Sequence, residues 1–306
     1  MIVTCTPNPA IDVTITVPQL EHGGTNSAPA AVRRAGGKGI NVARVAHQMG
    51  FDVHALTQVD DASSAWFASD LGDLPHTLVP ASGPTRSSYA CVETATDVTT
   101  IINERGAALA TPQWALLRGT WGGLTAQATV SVVAGSMPGD SAPGTLASLL
   151  AAGRTGVPVI VDTSGAALLE AAQAGASWLK PNIAELRAAL GEADPVAGAR
   201  LLQASGAGGV IVSLGSEGLV VVPPAGGGSP VHGRFPHAIS GNPTGAGDAA
   251  VAALAVSLDQ GVEDPTVIAR RCVAWSASAV TTPVAGAVDP SCDTWVDRVI
   301  IEQIER

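Results

Sequence analysis

Lysine is almost missing from this 306-residue chain: only Lys38 and Lys180 occur, against fourteen arginines. Aromatic side chains make up 3% of it, which leaves no platform on which nucleobases could stack in series. The net charge of −10 argues against a nucleic-acid backbone or an anionic membrane as partner. Cys5, Cys91, Cys272 and Cys292 never fall into C-x-x-C spacing, and the six histidines show no H-x-H or H-x-x-x-H pair. Neither a disulfide framework nor a zinc site is therefore expected. No apolar run reaches membrane-spanning length, and Met1 to Pro7 lacks a basic leader, so the expectation is a soluble cytoplasmic protein. A Walker A loop is also missing, because neither lysine stands in a G-K-[S/T] context.

Against these absences stands Thr244-Gly245-Ala246-Gly247-Asp248, followed by the helix-forming run Ala249 to Ala255. Two glycines feeding a helix start describe an anion site, built from unpaired N–H groups and the positive end of the helix dipole. A fixed carboxylate there would repel a phosphate unless it has a task, and accepting a proton beside the phosphate is such a task. Gly245, Gly247 and Ala250 also fit G-x-G-x-x-G/A, with Asp264 at a plausible distance for a dinucleotide ribose. The preceding Pro236 to Pro243 is no hydrophobic strand, which weighs against that alternative.

From residue 130 onward strand-like and helix-like stretches alternate. Strands are expected at 130–134, 157–161, 177–180 and 209–213, with helices near 142–152, 166–174, 183–190 and 195–205. This rhythm implies a parallel sheet with right-handed crossovers and helices on both faces, and ligands beyond the carboxyl ends of its strands. Ser136, Asp162, Lys180, Asn182 and Ser213 fall at or just past those ends. The first 110 residues differ: 11–17, 88–92 and 99–103 read as short antiparallel strands of a small β element. Between them Gly36-Gly37-Lys38-Gly39 opens an amphipathic helix carrying Ile40, Val42, Ala43, Val45, Ala46 and Met49. Gly226 to Pro230 reads as a hairpin loop, and no linker or repeat divides the chain.

Each motif has an ordinary explanation beside the chemical one. The Gly36–Gly39 run could be a flexible turn with an ordinary lysine, or a close backbone approach to a polyhydroxy ligand that Lys38 and Asn41 also touch. Asn182 and Glu185 could form a helix-capping pair or attend a metal. Asp12 could be a turn acid and Arg86 a surface arginine.

Taken in order, Asn8-Pro9-Ala10-Ile11-Asp12, Gly36 to Ala43, Gly135-Ser136-Met137-Pro138-Gly139, Val161 to Gly165, Lys180 to Leu186, Val212 to Gly218 and Thr244 to Asp248 resemble the PfkB branch of the ribokinase-like sugar kinases. Within it they are most similar to the 1-phosphofructokinase and tagatose-6-phosphate kinase subgroup. The resemblance covers almost the whole chain. It implies one Rossmann-like α/β domain over 1–306, with a small β-sheet lid contributed by about 11–35 and 85–107. ATP would be co-substrate and Mg²⁺ the cofactor, and a homodimer would pack through the lids. Asp248 would be the catalytic base, with Gly245, Ala246 and Gly247 lining the developing phosphoryl charge. Asp12, Gly37, Lys38, Asn41, Arg86, Asn103 and Ser136 would bind the acceptor, Arg86 gripping its existing phosphate. Lys180, Asn182, Ser213, Gly215, Glu217 and Gly218 would face the nucleotide, and Glu185 would act on Mg²⁺ through water.

Two stretches depart from the subgroup's pattern. Thr100-Ile101-Ile102-Asn103 replaces a T-E-I-N-like run and is followed by Glu104-Arg105-Gly106, which leaves the choice of sugar phosphate open. Trp275 and Ser276 replace small residues expected near an adenine pocket, which bears on the nucleotide. Fructose 1-phosphate is the leading acceptor, giving fructose 1,6-bisphosphate. Fructose 6-phosphate and tagatose 6-phosphate are alternatives, then an unphosphorylated sugar or nucleoside. A non-catalytic sugar-phosphate sensor is the reading from another class.

Overall fold

The computed structural model describes residues 1–96 and 98–304. The chain begins with β1 (Ile2–Thr6), β2 (Ala10–Val17), β3 (Val32–Gly36), α1 (Lys38–Gln48), β4 (Val53–Val59), α2 (Asp61–Leu71) and β5 (His76–Pro80). It continues with β6 (Arg86–Glu93), β7 (Val98–Asn103), α3 (Thr111–Thr125), β8 (Val130–Ala134), α4 (Thr145–Ala151), β9 (Val159–Asp162), α5 (Ala166–Gln173) and β10 (Trp178–Leu179). Then follow α6 (Ile183–Leu190), α7 (Pro195–Ala204), β11 (Gly209–Ser213), β12 (Leu219–Val222), β13 (Val231–Arg234), α8 (Ala246–Asp259), α9 (Pro265–Val280) and β14 (Ile300–Gln303). Among the described residues no helix is long and apolar enough to cross a membrane.

Ten strands form the large sheet in the order β14-β13-β12-β11-β10-β9-β8-β1-β4-β5. From β5 to β11 every neighbouring pair is parallel, whereas β12, β13 and β14 add an antiparallel edge. The glycine-rich stretch 226–230 joins β12 to β13, as the hairpin expectation held. Parallel strands are covered on both faces and so read as continuous apolar runs. Ile2, Val130, Val132, Ile160 and Ile211 pack under α1, α2, α8 and α9. Val3, Cys5, Val133, Val161, Leu179 and Val210 point the other way, under α3 to α7. The chain leaves β1 towards β4 and β5, then returns to β8 on the other side, so β1 and β8 flank the switch point where such sheets hold ligands.

The small sheet has the order β3-β2-β6-β7. Its central pair, β2 and β6, is parallel, which corrects the expectation of antiparallel strands throughout. The reason lies in the large sheet: β2 follows β1 and β6 follows β5, and strands continuing from parallel neighbours leave in one direction. The helix expected from residue 142 begins only at Thr145, because Gly144 sits in the left-handed region at φ 86° and cannot extend a helix backwards. Most other boundaries move by two residues or fewer.

Trp275 does not face a nucleotide pocket. It is fully buried on α9, its indole N–H donates to Asp293 Oδ1 at 2.8 Å, and its ring lies 6.5 Å from that of Phe51. A Trp275→Ala substitution leaves a cavity beside Phe51, so denaturant unfolding should show a loss of about 3–5 kcal/mol.

Candidate active site

The turn before α8 is shaped by Gly245, whose φ of 91° and close neighbour Ala285 both demand glycine; an added Cβ would meet Ala285 Cα at 3.0 Å. Ala246 N–H turns back to Pro243 O at 3.2 Å, whereas Gly245, Gly247 and Asp248 N–H groups find no backbone acceptor among the described residues. That refines the expected anion-binding run. Its open donors are the two glycines and Asp248 itself, and Ala246 closes the turn. Ser276, on α9, donates to Ala246 O at 2.9 Å and fastens the turn from behind. Asp264, the candidate dinucleotide acid, instead caps α9 by accepting Thr266 N–H at 2.8 Å.

Both lysines of the chain meet a single carboxylate. Strand register places Thr6, Ala134, Asp162 and Lys180 side by side across β1, β8, β9 and the end of β10. The small Ala134 leaves room above the row for the start of α1. Lys38 Nζ donates to Asp162 Oδ1 at 3.0 Å, and Lys180 Nζ lies 3.4 Å from Oδ2. Asp162 is 1% exposed; burial alone would raise its pKa, but Lys180 and Lys38 together hold it below the usual carboxylate range. Burial likewise works against the Lys38 ammonium, but Asp162, Asp248 and Glu185 outweigh it and push its pKa up. Lys180 also reaches the α8 turn, since a Cβ on Gly247 would stand 3.3 Å from its Nζ. Sequence reasoning placed Asp162 at the rim without a role; its two partners lie far apart in the chain and leave no local signal.

Asp248 projects from the first turn of α8 and is buried, accepting Asn41 Nδ2–H at 2.8 Å. Burial pushes its pKa up to about 7, helped by the Asp162 charge and opposed by Lys38, Asn41 and Lys180. A carboxyl in this state accepts a proton near neutral pH, the property a general base needs.

On the small sheet Asp12 lies directly opposite Arg34 in the β2–β3 register and beside the start of β6, where Arg86 stands. Gly36 packs on the Asp12 carboxylate so closely that no Cβ fits between them. Burial raises Asp12 to about 6, against the pull of Arg86, Arg34, the Gly37 N–H and Arg44. Arg34 and Arg44 were missed in the sequence because arginine is frequent and neither stands in a motif. The segment Gly36 to Asn41 thus touches Asp12 at one end and Asp248 at the other. Arg86 Nη2 donates to Asn8 O at 3.3 Å, and Ser136 Oγ accepts from Asn8 Nδ2 at 3.0 Å. Asn103 is exposed on β7 and accepts Ser88 Oγ–H at 2.8 Å.

Asn182 and Glu185 form a reciprocal capping box on α6, each side chain accepting the other's backbone N–H at 2.8 Å. The cap engages Glu185 Oε2 and leaves Oε1 outside it. Asp162 Oδ2 is taken up by its ion pair with Lys180. Glu185 Oε1 is a hard oxygen donor of the kind Mg²⁺ takes alongside nucleotide phosphates. Ser213 bridges to Asn182 at the next strand end. Gly215 to Glu217 form a short 3₁₀ turn, and Gly218, at φ 89°, lies against Gly233 O with no room for a side chain. No hydrogen bond or ion pair among the described residues joins that turn to the Asp248 group.

A buried carboxyl with a raised pKa beside a helix-start turn of open N–H groups, with arginines on a small sheet nearby, is an arrangement suited to phosphoryl transfer. The chain is 32% identical to a 1-phosphofructokinase of Xanthomonas campestris, covering 94% of this chain and 93% of that one. It is 34% identical to a 1-phosphofructokinase of Rhodobacter capsulatus, covering 91% and 90%. The solved Escherichia coli phosphofructokinase-2 in complex with fructose-6-phosphate superposes with a TM-score of 0.84 at 27% identity, covering 97% and 98%. Residues 5–291 match the pfkB family of carbohydrate kinases, and the chain belongs to that family. It is an ATP-dependent carbohydrate kinase.

The raised pKa of Asp248 has a stability consequence. The folded state holds a proton that the unfolded chain releases near the ordinary carboxylate value of 3.8, so stability is fully present below about 4 and is lost as pH rises through about 7. Asp248→Asn removes this loss. Unfolding at pH 8 should show the variant more stable by on the order of 2–4 kcal/mol, with the difference vanishing near pH 4.

Proposed function

We propose that the acceptor is fructose 1-phosphate and the product fructose 1,6-bisphosphate. The observation that carries this reading is the Gly36–Asn41 segment, which joins an arginine-rich carboxylate site at Asp12 to a buried base at Asp248. A sugar hydroxyl facing Asp248 gives its proton to the carboxylate while its oxygen bonds the γ-phosphorus of ATP. The bond to the bridging oxygen breaks and ADP leaves. Gly245 and Gly247 N–H groups with Lys180 offset charge on the phosphoryl oxygens, and Asp12 orients the sugar hydroxyls. Arg86 clamps the phosphate already on the sugar, which a neutral sugar could not use. Gly37, Lys38, Asn41 and Ser136 complete the acceptor wall, with Asn103 at its outer edge.

Asn182, Ser213, Gly215, Glu217 and Gly218 form the nucleotide side. Mg²⁺ would be held chiefly by the nucleotide phosphates, with Glu185 reached through water, and it supplies positive charge that offsets them. The whole chain, 1–306, acts as one kinase domain in the cytoplasm, where ATP and reduced cysteines belong. Val32 and Ile101 on one face of the small sheet, and Val98 and Ile102 on the other, are 43–62% accessible, and these exposed apolar side chains support a homodimer through the lids.

The test is ADP release with a panel of sugars. Fructose 1-phosphate should turn over best, with fructose 6-phosphate and tagatose 6-phosphate behind it; equal turnover of unphosphorylated fructose overturns the reading. Arg86→Ala should raise KM for the sugar phosphate on the order of 10²-fold with little change for ATP. The kcat/KM profile of the wild type should lose activity below about pH 7, and Asp248→Asn should lower kcat on the order of 10²–10⁴-fold.

A further inference from the structure

Asn8 lies between β1 and β2, is 7% exposed, and is hydrogen-bonded through both its side chain and its backbone. Its Nδ2 donates to Ser136 Oγ at 3.0 Å and to Met137 O at 3.3 Å, across the switch point between β1 and β8. Its backbone oxygen accepts Arg86 Nη2 at 3.3 Å. Gly106, just past β7, lies on the Asn8 amide with no room for a Cβ, and Gly106 O accepts Gly139 N–H at 3.1 Å. The turn itself is fixed from below: Gln58 Nε2 donates to Pro7 O at 2.7 Å and Thr57 Oγ1 to Thr6 O at 2.8 Å. On its other side Arg86 Nη1 donates to Glu104 O at 3.3 Å, and the preceding Thr85 is fixed by Asp60 Oδ2, which accepts its N–H and its hydroxyl at 2.9 and 2.6 Å.

We infer that Asn8 is a positioning residue that sets the spacing between the phosphate clamp at Arg86 and the acceptor wall at Ser136. It thereby acts as the gauge that selects where on the sugar the existing phosphate must lie. The inference rests on the acceptor reading above for the identity of the sugar, but the frame itself is a property of the free protein. Arg86 alone recognises a phosphate anywhere within its reach. A rigid partner shared with the loop that faces the sugar makes the separation between phosphate and hydroxyl count, and a fixed geometry discriminates isomers where a flexible arginine does not.

The experiment compares wild type, Asn8→Ala, Ser136→Ala and the double variant, and adds Gly106→Ala, which displaces the Asn8 amide without deleting it. Asn8→Ala and Gly106→Ala should both raise KM for the preferred sugar phosphate on the order of tenfold, leaving KM for ATP unchanged. Their preference for fructose 1-phosphate over fructose 6-phosphate should fall by a similar factor. In the double variant the two losses should be strongly less than additive. Equal changes in both KM values, an unchanged preference, or full additivity overturns the inference. Amide exchange of the unliganded protein supplies a readout free of any substrate: Asn8→Ala should deprotect segments 84–93 and 135–141 together, while 249–258 stays protected. Unchanged exchange at both segments also overturns it. Should the wild type prefer another sugar phosphate, the acceptor reading falls, and the frame is judged with that sugar and the exchange data.

Discussion

A buried carboxylate between two ammonium groups organises this molecule. Asp162 is deep enough that its charge is tolerable only because Lys38 and Lys180 stand on either side. The two lysines come from opposite directions, one from the start of α1 and one from the end of β10. Each then reaches something else: Lys38 carries its field to Asp248, and Lys180 lies against Gly247. One charge cluster thus links the helix that follows β3 to the helix that presents Asp248. In a chain with no other lysine, the composition itself shows how few cations of this type the site needs.

Much of the site could be read from the chain because a parallel sheet delivers its chemistry at strand ends. Ser136, Lys180, Asn182 and Ser213 each follow an apolar run directly, and Asp248 follows a glycine turn at a helix start. What stayed hidden were pairings between distant segments. Nothing near Asp162 announces that it collects two lysines, and nothing near Arg34 or Arg44 separates them from surface arginines. The Asn182–Glu185 pair shows the converse: its ordinary role as a cap is realised in full, so any work on the metal is done by atoms the cap leaves over.

The fold was less legible in its first third. Between β4 and β5, α2 has a weak amphipathic pattern and sets Trp66 and Phe67 side by side, one outside and one inside. Pairing between β2 and β6 joins residues more than seventy positions apart, and direction across such a gap is decided by where the large sheet releases each strand. Local sequence suggests a hairpin-rich small sheet; only the topology makes its centre parallel. Trp275 misled for a related reason: it departs from a small-residue pattern, and its ring turns inward to fill the core.

The parallel centre of the small sheet limits how it can move. Four passages of chain root it in the body, from β1 into β2, from β3 into α1, from β5 into β6 and from β7 towards α3. A flap on a single hinge would have to strain at least three of them. The eight-residue parallel pairing of β2 with β6 ties its two halves into one plate. Because β3 runs almost directly into α1, a displacement of that plate carries with it the helix that bears Lys38 and Asn41 beside Asp248. The surroundings of Asp12 and those of Asp248 are therefore mechanically joined through a single short stretch of chain, Gly36 to Asn41.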